Sequence, residues 1–382
     1  MKSSGGAYYP RLDHVRAMAA FLVFFYHFTH VSIANSYVPP FFAASLFEEG
    51  WTGVALFMVL SGYLFAKITD GRDILFAPFL WNRFVRLAPL LVALFAYYAV
   101  MHGFSLQKFL KGFVVYTGWP GGAWSLTTEM HFYLAFPLLL LIQRRAGTLA
   151  LASCLLLSIA VRALWWKHYG QSEIIGYFTI LGRIDQFVLG MVFYRVAGSG
   201  MIARYSRPLF WGTLLAFMGF WHLFNTWGGL YAMPTFPSPS PWWIILPTIE
   251  GLAWGVMIAS YEKMPFQMPA WMSAGLSRIG EASYSIYLLH YTIIFDGLIY
   301  VLPAPASYGE ASLMALAVFP VIAGLGMLSY RFIEMPWFKF RTQYFRGAVR
   351  SSDVWQGDVR PNDVRQGAPF VVHRLLHPAF ER

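Results

Sequence analysis

Ten apolar segments follow one another along this chain, and each is about long enough to cross a lipid bilayer. A helix of about 20 apolar residues spans the roughly 30 Å hydrocarbon core of a membrane and satisfies its own backbone polar groups there. The segments are approximately 14–34, 50–68, 84–102, 126–143, 148–166, 174–194, 209–226, 242–260, 283–302 and 310–331. This pattern predicts an all-α fold, a polytopic transmembrane helical bundle of about ten spans.

The composition is typical of a membrane protein and argues against a soluble or nucleic-acid-binding one. Of the 382 residues, 58% are hydrophobic and 12% are charged, whereas soluble domains carry about 25% charged residues. The net charge is +10, but Lys and Arg cluster between the apolar runs, where they can face lipid headgroups. We therefore expect membrane lipids as neighbours and no nucleic acid as a partner.

The distribution of basic residues predicts the orientation of the bundle. If the N-terminus is inside, the cytoplasmic segments hold most of the Lys and Arg residues. The opposite side then receives only Lys108, Lys111, Arg162 and Lys167. Basic residues concentrate on the cytoplasmic side of membrane proteins, and an even number of spans returns the chain to its starting side. The prediction is a multi-pass protein of the inner (cytoplasmic) membrane with both termini in the cytoplasm.

The chain changes character after the last apolar segment. Residues 342–382 are polar and charged, which is typical of a solvated, poorly ordered extension. We expect a transmembrane domain over residues 1–341 and a cytoplasmic tail over residues 342–382.

The first span carries titratable groups inside an apolar helix. Asp13 and Arg16 lie at its start, and His27 and His30 are three apart and share one face. At about 1.5 Å per residue, His27 lies roughly 16 Å beyond Arg16 along the axis. A neutral imidazole can take a proton from a hydroxyl, but a hydrogen bond between spans would explain His27 equally well. His30 fits a supporting role, and lipid contact is the ordinary explanation for Asp13 and Arg16.

Two arginines lie at the predicted cytoplasmic border of the third span. Arg83 and Arg86 are three residues apart and share a helical face. Guanidinium groups bind phosphate bidentately, so this pair suits a phosphate-rich ligand. The commoner role of border arginines is contact with lipid headgroups, and the spacing alone does not choose between the two.

A polar stripe opens the fourth span. Ser125, which follows Trp124 directly, Glu129 and Tyr133 are four residues apart from one another in turn. They therefore lie on one helical face. The stripe places a hydroxyl, a carboxyl and a phenol side by side in an apolar setting. Such groups either form a polar contact between helices or mark a functional site.

The last two spans carry a further set of polar residues. Ser283, Tyr287 and His290 fall near one face of the ninth span. Glu334 precedes Met335 and Pro336 and marks the end of the tenth span, because proline disfavours helix in the residue before it.

Taken together, these motifs resemble acyltransferase family 3, whose members are multispan membrane enzymes that acylate sugars and other cell-surface molecules. The resemblance covers about residues 10–340, and its motifs occur in the family's order. They are 11–16 (RLDHVR) with His27, 53–64 (GVALFMVLSGYL), 83–89 (RFVRLAP), 124–134 (WSLTTEMHFYL), 283–290 (SYSIYLLH) and 334–336 (EMP).

The resemblance implies transfer of an acyl group, usually acetyl, from a cytoplasmic acyl-CoA. It points to His27 and Arg16 as the catalytic motif and to Arg83 and Arg86 as ligands of the CoA donor. We add Glu129 to the catalytic set, where it would orient His27 or place the acceptor. The remaining candidates are Ser125 and Tyr133 beside the acyl-CoA, and Asp13, His30, Trp124, His290 and Glu334 in support. No metal is expected.

The resulting hypothesis is an O-acyltransferase in which His27 is the general base. It moves an acetyl or other short acyl group from acyl-CoA to a hydroxyl of a glycan or glycoside, such as a cell-surface polysaccharide. Ionisable residues inside spans also suit a proton-coupled transporter or a flippase of a glycan or lipid-linked substrate, so that alternative stays open. The sequence does not indicate the oligomeric state.

Overall fold

The computed structural model describes residues 9–32, 42–116, 119, 121–227, 233 and 235–345. Over these ranges the chain forms helices and no β-strand, so the all-α prediction is confirmed for them. The α-helices are α1 (Pro10–Ser32), α2 (Ser45–Glu48), α3 (Gly53–Ile68), α4 (Phe76–His102), α5 (Leu106–Lys111), α6 (Trp124–Ala152), α7 (Cys154–Tyr169), α8 (Glu173–Phe178), α9 (Ile180–Ala197), α10 (Met201–Arg204), α11 (Ser206–Trp227), α12 (Leu246–Lys263), α13 (Ala270–Glu281), α14 (Ser283–Ile293), α15 (Ile299–Val301) and α16 (Tyr308–Ser329).

Several of these helices are suited to a membrane. Within the described ranges, five stretches are long and apolar enough to cross one, namely Gly50–Ile68, Phe76–His102, Trp124–Ala152, Ser283–Val301 and Tyr308–Phe340. They overlap five of the ten predicted spans, and α1, α7, α9, α11 and α12 overlap the other five. That all ten cross the membrane, and that both termini are cytoplasmic, remain predictions.

Helices α3 and α9 pack against each other closely because glycine removes the side chain at their contact. A Cβ on Gly62 would overlap the carbonyl oxygen of Phe187, and a Cβ on Gly190 would overlap that of Val59. Small residues allow this approach between helices in membranes, where dispersion contacts supply much of the association energy. The approach holds one face of α3 in a fixed position next to the candidate site.

Helix α1 lies alongside α13 and α14 and runs in the same direction. The backbone of Asp13 near the start of α1 touches Gly280 of α13, where a Cβ would clash. Near the other end, His27 contacts His290 of α14. This parallel placement sets Arg16 and His27 at different depths along one interface.

Buried charges pair between helices. Arg162 of α7 is fully buried and lies 2.9 Å from a carboxylate oxygen of Asp185 on α9, and Thr248 of α12 donates to the same carboxylate. The charge of Arg162 is therefore satisfied inside the bundle, and its place on the outer side of the membrane remains a prediction. Arg183 packs over the ring of Tyr177, with its guanidinium carbon 4.3 Å from the ring centroid.

The described chain ends in a segment that we call the strap (residues 340–345). It lies along the start of α4, where the Asn82 side chain donates to the Thr342 carbonyl and accepts from the Thr342 backbone N–H, at 2.6 and 2.8 Å. Tyr344 of the strap is buried against Phe79. The rest of the predicted tail lies outside the described residues.

Candidate active site

A cavity opens between helices α1, α3, α4, α6, α9 and α14 and contains about 820 Å³ of empty space, including the part open to solvent. One end is lined by Arg16, Arg83 and Arg86, and we call it the arginine end. The other is lined by Ser125 and Tyr287, and we call it the tyrosine end. Between them lie mainly apolar side chains, including those of Val54, Phe57, Met58, Phe65, Leu126 and Phe187. The space is therefore cationic at one end and mainly apolar along its walls.

The arginine end combines side chains from α1 and α4. Arg16 forms an ion pair with Asp13, one turn earlier on α1. The Arg83 guanidinium lies over the ring of Phe65, 5.4 Å from its centroid. Its Nε atom is buried and has no hydrogen-bond partner within the described structure. This arrangement can receive an anion, because donors and positive charge are held in place with capacity left over.

The face of α6 predicted to be a polar stripe does line the cavity. Ser125, Glu129 and Tyr133 all contribute to its wall, and the Tyr133 hydroxyl donates to the Glu129 carboxylate. The structure thus brings these residues together with Arg16, Arg83 and Arg86, which the sequence placed on other helices.

His27 lies beyond the tyrosine end. It is not among the described residues that line the cavity. Its Nδ1 is 2.9 Å from the Val23 carbonyl and 3.2 Å from Nε2 of His290. Nδ1 of His290 is in turn 3.2 Å from the Ile286 carbonyl. A carbonyl can only accept, so both rings carry their proton on Nδ1, and His290 Nε2 accepts from His27. This assignment leaves Nε2 of His27 unprotonated and able to act as a base.

Tyr287 separates the cavity from the histidine pair. Its hydroxyl accepts a 2.7 Å hydrogen bond from Ser125 and donates a 2.7 Å bond to the Gly122 carbonyl. Gly122 also lies close to the histidine pair, since a Cβ built on Gly122 would be 4.0 Å from the His290 ring. The Tyr287 ring lies 5.8 Å from that of His290, centroid to centroid. We call this hydrogen-bonded tyrosine end the barrier, and His290, which contacts His27, follows Tyr287 by about one helical turn.

One of the two roles considered for Glu129 was to orient His27, but the side chain that contacts His27 belongs to another residue. The Glu129 carboxylate bonds to Tyr133 and faces the cavity, while the ring that bonds to His27 belongs to His290. The structure therefore places His290, predicted to be a supporting residue, against His27, and places Glu129 in the wall of the cavity.

The other supporting candidates, of the described residues, are not among those that line the cavity. His30 Nε2 is 3.2 Å from a carboxylate oxygen of Glu48. The Trp124 ring lies near the Arg183 guanidinium, 5.7 Å from its carbon to the centroid. Glu334 is fully buried and accepts a hydrogen bond from Ser285 of α14.

Two residues of this region were not selected from the sequence. The spacing of Tyr287 from Ser283 and His290 placed it on the right face, but its role as a barrier depends on Ser125 and Gly122 of another segment. Arg341 lies at the start of the strap, in a polar stretch with no motif. Burial, followed by the positive charges of Arg86 and Arg83, lowers the pKa of Arg341 to about 10.

Over the described ranges, no cluster of three His, Cys, Asp or Glu side chains is placed to hold a metal ion. The positive charge of the arginine end suits phosphate groups, and the mainly apolar walls suit an organic chain.

Comparison with known proteins agrees with this chemistry. The acyltransferase domain that defines acyltransferase family 3 matches residues 9–334. The protein named membrane-bound transacylase BcsY from Komagataeibacter xylinus is 24% identical over 359 residues, covering 85% of this chain and 81% of BcsY. No solved structure matches the chain significantly. Because the domain covers most of the chain and ends at Glu334, the first residue of the last motif, the chain belongs to acyltransferase family 3 and is a membrane acyltransferase.

Proposed function

We propose that the protein transfers an acetyl or other short acyl group from cytoplasmic acyl-CoA to a hydroxyl of a glycan or glycoside, at the inner membrane. In this proposal the bundle has ten spans and cytoplasmic termini, so the arginine end opens towards the cytoplasm. The observation that supports it best is the cavity itself, which runs from three arginines to a barrier one turn from a paired histidine.

The donor would bind with its phosphates at the arginine end. Arg83 and Arg86 supply positive charge and bidentate donors, and Arg16 adds a third guanidinium from α1. The acyl-pantetheine arm would extend along the apolar walls past Glu129 and Tyr133. Arg16 and His27 are about 16 Å apart along α1, which an extended arm has to cover.

His27 would act as the general base. The acceptor hydroxyl gives its proton to Nε2 of His27 while its oxygen bonds to the thioester carbonyl carbon. The carbon–sulfur bond then breaks, and the CoA sulfur takes the proton back from the imidazolium. His290 accepts from Nδ1 throughout and so favours the positive charge that forms on His27. General-base catalysis typically contributes a factor of about 100 to 10,000.

The barrier adds a requirement to this mechanism. In the described structure the cavity ends at Tyr287, so the thioester reaches His27 only when the Tyr287 side chain moves aside. Closure would keep water and the histidine away from the bound donor between turnovers. This arrangement would favour transfer to the acceptor over hydrolysis.

The decisive experiment measures label transfer by purified protein in lipid nanodiscs. Acetyl-CoA labelled in the acetyl group is supplied with a cell-surface polysaccharide preparation, and label in the glycan and free CoA are both quantified. We expect His27→Ala to lose transfer by at least about 100-fold, because the general base is gone.

The exposed histidine of α7 supplies the control, since His168→Ala should transfer at the wild-type rate. A His27→Ala protein that transfers normally would exclude His27 as the base. In sealed proteoliposomes, wild-type protein that moves glycan across the bilayer but releases no CoA would instead favour a transporter.

A further inference from the structure

The strap places Arg341 near Arg83 and Arg86, two of the arginines of the arginine end. It follows α16 and lies beyond residues 9–334, which the family domain covers. Besides Asn82, two further groups of α4 and its N-terminal loop hold it. The Trp81 indole N–H donates to the Phe340 carbonyl at 2.9 Å, and the Leu75 backbone N–H donates to the Tyr344 carbonyl at 2.7 Å. The strap is therefore attached to the helix that carries Arg83 and Arg86.

Arg341 has hydrogen-bonding capacity that the described chain does not use. Its guanidinium carbon stacks 3.5 Å from the centroid of the Phe338 ring, which fixes its plane. Its Nε and Nη2 atoms are buried and have no hydrogen-bond partner within the described ranges. The Nε atom of Arg83 is also buried and has no hydrogen-bond partner within these ranges. Buried donors without acceptors are costly, and native structures usually satisfy them.

The charges around these donors are also unbalanced. Arg341 lies within the electrostatic influence of Arg83 and Arg86, which disfavour its charged form. Glu334 offsets part of this positive charge, but its carboxylate accepts from Ser285 and keeps one buried oxygen without a partner in the described structure. Neighbouring guanidinium groups with open donors form a typical phosphate site.

We propose that Arg341, held in place by the strap, completes a phosphate site with Arg83 and Arg86 and binds a phosphate group of the acyl-CoA donor. This inference rests on the proposed function. A lipid headgroup offers the same phosphate chemistry at this position, so the experiment has to separate the two sources.

The test measures equilibrium binding of CoA to the full-length protein in phosphatidylcholine nanodiscs. Arg341→Gln should weaken CoA binding by about 10- to 100-fold, because a charge-assisted contact is lost. Arg341→Lys should recover part of the affinity, since it keeps the charge and loses the planar fork. Asn82→Ala keeps every arginine but removes both bonds to Thr342, and should also weaken binding.

Arg331→Gln is the matched control. Arg331 lies just after α16, is exposed and packs over Phe332, so its removal changes the net charge equally without touching the site. It should leave CoA affinity within about twofold of wild type, as expected for a surface substitution.

The outcomes distinguish this inference from the proposed function. If Arg83→Gln and Arg86→Gln lose affinity while Arg341→Gln binds like wild type, the inference is overturned and the donor site stands. If wild-type protein binds no CoA, the proposed function itself fails. A lipid site would leave CoA affinity unchanged in Arg341→Gln and abolish the gain in thermal stability that added phosphatidylglycerol gives the wild type. That result would also overturn the inference.

Discussion

The barrier at Tyr287 predicts that removing its hydroxyl will make the enzyme hydrolyse acyl-CoA in the absence of acceptor. Tyr287→Phe keeps the ring but loses the bonds to Ser125 and Gly122, each 2.7 Å long. A hydrogen bond contributes about 0.5–1.5 kcal/mol net, so the closed state should lose about 1–3 kcal/mol. Because each 1.4 kcal/mol is tenfold, the open population should rise by roughly 5- to 150-fold.

The assay compares two rates in nanodiscs supplied with acetyl-CoA. Hydrolysis without acceptor should rise in Tyr287→Phe by a factor in this range, up to the limit set by chemistry at the open site. Tyr284→Phe is the matched control, because the Tyr284 hydroxyl donates to the Leu87 carbonyl away from the barrier. Tyr284 also lines the cavity, and its hydroxyl makes one of these bonds where that of Tyr287 makes two, so Tyr284→Phe should cost about 0.5–1.5 kcal/mol of stability without raising hydrolysis. If Tyr287→Phe hydrolyses and transfers at the wild-type rates, Tyr287 does not separate the donor from the base.

Three further predictions address other parts of the structure. His290→Phe should lower kcat by about tenfold or more and leave KM for acetyl-CoA unchanged, since it removes the acceptor that orients His27; an equal rise in KM would place His290 at the donor site. Burial raises the pKa of the Glu49 carboxyl to about 7. The stability that its protonated form contributes is therefore fully present below pH 4.5 and is lost as pH rises through 7. Thermal unfolding in detergent should thus show lower stability at pH 8 than at pH 5, and Glu49→Gln should flatten that difference; an equally steep loss in the variant would exclude this carboxyl. Gly62→Ala should destabilise the protein by about 1–3 kcal/mol through overpacking, whereas Gly212→Ala, with open space at its Cβ, should not lower the unfolding temperature; equal effects would mean that the α3–α9 contact is not tight.

Local patterns in the sequence determined the helical architecture and the faces of the individual helices. Apolar runs predicted helices in all ten ranges, because hydrocarbon requires internally satisfied backbone. Three- and four-residue spacing placed Arg83 with Arg86, and Glu129 with Tyr133, on shared faces. These properties depend on neighbours within a turn or two, which the sequence displays directly.

Tertiary packing decided which faces meet. His290, and not Glu129, lies against His27, because α1 runs beside both α13 and α14 and its Asp13 lies against Gly280 of α13. The barrier needs Tyr287 and Gly122, which are 165 residues apart in the chain. Arg341 lies near Arg83 and Arg86 because hydrogen bonds attach the strap to α4. Such contacts join residues distant in sequence through packing and shape, and helical periodicity carries no information about them.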